Sequence, residues 1–172
     1  LRIENELYNI LDTLQQRYPR NMVLKELFLS TMHRLAGSLE VMGYKDKAYE
    51  LESKAAELSF RFGIIPLHGL AALGKATMLM DRGKYEDALK VLESACEALK
   101  ATEYLGEYTK CLLRKAHILH LLRRDEESCK ILLSEELQKL LTMTKYSSAY
   151  ELYNKLRDEV INKVCRKLST ST

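Results

Sequence analysis

Histidines and cysteines, four of each, carry most of the chemistry that this chain's side chains could support. His117 and His120 stand three residues apart, so a helix would put both imidazoles on one face, a spacing able to grip a transition metal. A metal needs further ligands. No carboxylate lies four residues from either histidine, and Cys111 falls on a different face. The pair is therefore read as polar lining of a surface. Cys96, Cys111, Cys129 and Cys165 contain no CxxC pair, and a chain this long does not need staples, so they read as free, mostly buried thiols of a reducing compartment. No histidine sits on a loop beside a glycine elbow that would present a nucleophile. Neither GxGxxG nor GxxxxGK is present to cradle phosphate. Asp125-Glu126-Glu127 opens a helix, where carboxylates favour the positive end of the dipole, and is not read as a catalytic pair. Leu137-Gln138-Lys139-Leu140-Leu141 fits the LxxLL docking pattern, but leucines so spaced read as core. The expectation is a protein without catalytic site, cofactor or metal.

The elements that must carry these residues are helices. The 172 residues are 47% apolar and 30% charged, with only 7 Gly and 2 Pro, too little turn chemistry for a multi-stranded β fold. The longest apolar stretch, 62–74, is interrupted by Pro66 and His68 and falls short of the roughly 20 residues that span a bilayer, so no membrane partner is expected. Of the net charge of +3, all is contributed from Lys155 onward, and the neutral remainder argues against nucleic acid as the partner. The chain opens within a helical pattern (Leu1, Ile3, Leu7, Ile10, Leu11, Leu14), with neither initiator Met nor signal peptide. It reads as a fragment of a larger intracellular protein, cytoplasmic or nuclear.

Shifting the sequence by 40 residues aligns Ala36, Ala76 and Ala116, and three residues later Leu39, Leu79 and Leu119. Gly43, Gly83 and Arg123 then coincide, followed by Ala48, Ala88 and Ser128, and by Ala55, Ala95 and Glu135. Each copy reads as helix A, a tight turn and helix B. Small residues sit where the helix axes approach most closely, and the turn glycines accept a left-handed backbone. The spacing predicts helices over 2–17, 22–42, 45–62, 67–82, 85–100, 104–122, 126–142 and 145–168.

The run Ala76-x-x-Leu79, Gly83-Lys84-Tyr85-Glu86-Asp87-Ala88 and Leu92-x-x-Ala95 resembles the tetratricopeptide repeat, in a long variant of about 40 residues against the usual 34 or so. The first copy matches at Ala36, Leu39, Gly43, Ala48 and Ala55, and the third departs at Arg123 and Ser128. The resemblance implies an all-α, right-handed α-α superhelix of antiparallel helix pairs. Residues 1–20 would be helix B of a preceding repeat or an N-terminal cap. Repeats would follow at 22–62, 66–100 and 103–142, then a capping helix at 145–168 and a tail at 169–172. It also implies an interaction scaffold whose A helices line a concave groove. Counting from the aligned alanines, that groove is expected at His33, Arg34, Leu73, Thr77, Met80, Lys110, Leu113, Arg114, His117 and His120, with Ser30, Gly37, Leu70 and Gly74 beside them. Lys110 and Arg114 resemble two residues of the family's carboxylate clamp, whereas His33, Gly37 and Gly74 depart from it, so no tight grip on a chaperone tail is expected. The expected partner is another protein, a peptide or helix with apolar anchors and an acidic flank. A peptide- or ligand-sensing regulator, or a purely structural segment of a multisubunit complex, are the alternatives.

Overall fold

The computed structural model describes residues 2–144 and 148–166. All elements among them are helical: α1 (Arg2–Arg17), α2 (Met22–Val41), α3 (Lys45–Arg61), α4 (Ile65–Asp81), α5 (Tyr85–Lys100), α6 (Leu105–Leu121), α7 (Asp125–Leu132), α8 (Glu135–Met143) and α9 (Ser148–Leu156), the last running on as a wide-turned π segment, Arg157–Cys165. From α1 to α7 each helix packs on the next. The aligned alanines explain how closely: Ala36, Ala76, Ala116, Ala48, Ala88, Ala55 and Ala95 are all buried where the helices meet. Where the third copy has Ser128, its hydroxyl donates to the Ala116 carbonyl at 2.7 Å, so the polar atom is satisfied inside the core.

The turns share one design. Gly43, Gly83 and Arg123 have φ of 87°, 71° and 62°. In each case the next residue's N–H reaches back to the carbonyl five residues earlier: Tyr44 to Leu39, Lys84 to Leu79, Arg124 to Leu119. Gly63, between α3 and α4, repeats it with φ 71° and the bond from Ile64 to Ser59.

Three expectations need correction. The helix expected over 126–142 is broken. Ser134 adopts an extended conformation and its Oγ accepts from the Leu137 N–H at 3.2 Å, capping α8 as a new helix. The break turns α8 back toward α5 and α6, where Glu136 accepts from the Tyr108 hydroxyl at 2.8 Å and pairs with Lys100 at 3.3 Å. The terminal helix expected over 145–168 is α-helical only at Ser148–Leu156 before its π turn, and 145–147, 167–168 and the tail 169–172 lie outside the described residues. Finally, the cysteines are not free thiols. Cys96 on α5 is bonded to Cys111 on α6, and Cys129 on α7 to Cys165 on the π segment, each pair with Cα atoms 5.6 Å apart. Free thiols no longer support a reducing compartment.

Candidate functional site

Within the stack, α2 touches α4 and α4 touches α6, while the intervening helices α3 and α5 make no comparable contact with one another or with α1. The A helices thus form the tighter, inner row and the B helices splay outward. Crevices open between neighbouring B helices, floored by the A helix between them.

Along the inner row, the side chains expected to line a groove have uneven fates. Leu113 is fully buried and Leu73 nearly so, which makes them core and leaves them unable to anchor a ligand. Thr77 donates its hydroxyl to the Leu73 carbonyl at 2.9 Å. Met80 is half-buried and Arg34 exposed, the latter close enough to Glu4 for its charge to act there. Lys110 pairs with Glu107 at 3.4 Å. Burial lowers the Arg114 pKa, against the opposing charges of Asp81 and Glu40. His117 is half-buried, and its pKa falls because desolvation disfavours the imidazolium; Lys155, His120 and Arg114 add to that, against Glu159. His120 pairs across the turn with Asp125 at 2.6 Å. The two histidines do not converge on a third ligand: no cluster of His, Cys, Asp and Glu suited to a metal ion occurs among the described residues. Leu137, Leu140 and Leu141 are buried, so the LxxLL run is core.

Sequence reasoning missed the central residue of this face. Glu52, on helix B of the first repeat, is only 2% exposed. Its carboxylate passes between α2 and α4: Oε1 lies 2.8 Å from His33 Nδ1, and a Cβ built on Gly74 would run into that same oxygen. Oε2 is buried and has no hydrogen-bond partner among the described residues. The 40-residue alignment held a signal for it. The equivalents of His33 and Glu52 are Leu73 and Leu92 in the second repeat, and Leu113 and Leu132 in the third, each pair within one buried cluster. An ionisable pair therefore replaces a leucine pair in one repeat of three. For His33, burial lowers the pKa, but the hydrogen bond and charge of Glu52, with Glu107 adding, outweigh it and leave the imidazole above its ordinary value. Burial raises Glu52, and His33 only partly offsets this.

Apolar anchorage lies nearer the amino ends of the A helices than expected. Val23 (64% exposed) and Leu27 (48%) share a hollow of about 530 Å³ with Met22, Pro66 and Tyr104, and Glu26 stands on its lining. On the outer side, His68 bridges two helices. The Ala56 carbonyl can only accept, so Nδ1 carries the proton in the 2.9 Å bond to it, and in the neutral ring Nε2 accepts from the Ser94 hydroxyl at 2.8 Å.

These features define the class: an all-helical repeat stack with an apolar hollow near the amino ends of its A helices and, further along α2, a buried carboxylate. In comparisons with family models, curated proteins and solved structures, none matches this chain. No helix among the described residues is long and apolar enough to cross a membrane.

Proposed function

We propose that this chain is a protein–protein interaction module of tetratricopeptide-repeat type, and that it binds a peptide or helix along the inner face of its A helices. The observation that carries the reading is the open apolar hollow at Val23, Leu27, Pro66 and Tyr104, on the face that the row of A helices makes concave. An apolar anchor entering it would sit beside polar groups spread along α2, α4 and α6, the usual division between affinity and register. Charges of both signs stand on this face, Lys110 by Glu107 and Arg114 near Asp81 and Glu40, rather than the single-sign stripe that a phosphate backbone selects. The test is selection of peptides from a displayed random library on the immobilised chain, repeated with Val23→Asp/Leu27→Asp. These positions are exposed, so the variant folds. Retained peptides that share an apolar anchor and lose binding to the variant support the reading; peptides bound equally by both chains overturn it.

A second reading, a segment stacked within a multisubunit assembly, has its own observation. Ile3, Leu7 and Ile10 form an exposed stripe on α1, a helix in the B position with no helix A packed on that side among the described residues.

A further inference from the structure

Glu52 has no architectural reason to be a carboxylate. The second and third repeats pack leucines at the equivalent positions, so this fold accommodates the apolar alternative. Burying a carboxylate beside an imidazole is no more stabilising than packing two leucines and is often worse. One glycine makes room for it: Gly74 stands where any Cβ would collide with the carboxylate, whereas a Cβ on Gly37, one turn beyond His33, would meet no atom within 4 Å. The carboxylate therefore lies buried at the place where a side chain of residue 74 would begin, with the one-third-exposed His33 ring beside it.

The cations of this face stand among carboxylates. Lys110 is paired with Glu107, Arg114 lies in the field of Asp81 and Glu40, and Arg34 lies in that of Glu4. Glu40 and Glu107 also act on the His33–Glu52 pair. What lacks a partner is carboxylate oxygen, at Glu52 Oε2. Complementarity calls for a donor-rich cation, in contrast to the acidic flank that the basic residues alone suggested.

We propose that the Glu52 carboxylate beside Gly74 is a recognition site for a lysine or arginine side chain of the bound polypeptide, with His33 holding the carboxylate until that side chain arrives. The inference rests on the interaction-module reading and specifies its partner. Leu27 and His33 are six residues apart on α2, roughly 9 Å along the axis. In a partner lying along α2 the basic residue is therefore about three residues from the apolar anchor if extended, or about six if helical, in either chain direction.

The test uses peptides selected from the displayed library on the intact chain. The expected consensus has an apolar anchor and a Lys or Arg at that spacing. A synthetic consensus peptide and its basic-to-Met version are then titrated against the wild type and against His33→Leu/Glu52→Leu, which restores the leucine pair of the other repeats and so folds. The wild type is expected to lose about tenfold or more in affinity when the basic residue is removed, and the double variant to bind both peptides alike. Anchored peptides without a basic residue, or a double variant that still discriminates, overturn this proposal and leave the interaction module standing. Retention of no peptide at all overturns both.

Discussion

Replacing His33 and Glu52 together by leucine should make this protein more stable, although it deletes an ion pair. The wild-type pair is nearly closed to water on the Glu52 side, 3% of whose side chain is exposed, so the carboxylate has given up hydration for one hydrogen bond and left Oε2 with none. Exchanging such a pair for well-packed apolar residues is neutral or stabilising by about 1–4 kcal/mol. Because His33 is one-third exposed and retains some hydration, about 2 kcal/mol is expected here, or roughly 4–8 °C in Tm for a chain of this size. His33→Leu alone should do the opposite. It leaves the buried carboxylate unpaired, which costs about 3 kcal/mol, the low end for a broken buried pair. The assay is thermal and urea unfolding followed by circular dichroism. The pH dependence supplies an independent reading. Both groups have raised folded-state pKa values, so between the ordinary and raised values the folded chain holds protons that the unfolded chain has released. The pair's contribution is most favourable at acid pH and fades as pH rises through the raised values, so the advantage of the double variant should grow from mildly acid to alkaline pH. A double variant that melts below the wild type at neutral pH, or a His33→Leu variant that melts with it, would refute the reasoning.

Three further outcomes follow from single contacts. Arg123 holds φ at 62° where two of the equivalent turns have glycine, so Arg123→Gly should stabilise by about 0.5–1 kcal/mol, and a loss on unfolding would show that its side chain matters more than its backbone. Cys129 and Cys165 lie 36 residues apart, so Cys129→Ser/Cys165→Ser should lose about 4 kcal/mol of loop-closure stabilisation; unchanged denaturant midpoints under oxidising conditions would contradict the bond. The folded-state pKa of His117 is depressed, so its unfolded form binds the proton first and stability drains away as pH falls below the ordinary imidazole value. His117→Leu should flatten that loss between neutral pH and about pH 5, and an equally steep acid limb would count against its burial.

The difference between what could and could not be read beforehand is clearest in the third repeat. Ala116 and Leu119 announce the helix, and the turn survives the replacement of glycine by Arg123 because the Arg124-to-Leu119 bond holds it. The break at Ser134 lay hidden, since serine is tolerated within an apolar helical pattern and caps a new helix only once Tyr108 and Lys100 draw Glu136 toward α5 and α6. The groove was similarly half legible. Counting along each A helix finds the face but not its depth, so Leu73 and Leu113 counted as lining although neighbouring helices cover them, while Val23 and Leu27 went unnoticed one to three turns earlier.

Taken alone, the order of residues determined that this chain is helical, that its helices come as pairs repeating every 40 residues, and where small side chains let them approach. All of these are periodic, local properties that the 3.6-residue turn and the φ of a glycine express in one dimension. Tertiary structure decided which cysteines join, which polar groups of the inner face have partners, and that a carboxylate from a B helix lies buried between two A helices. Those outcomes depend on distances between residues 15 to 36 apart in the chain, and burial and electrostatics act through space, where the spacing of residues along the sequence no longer measures separation.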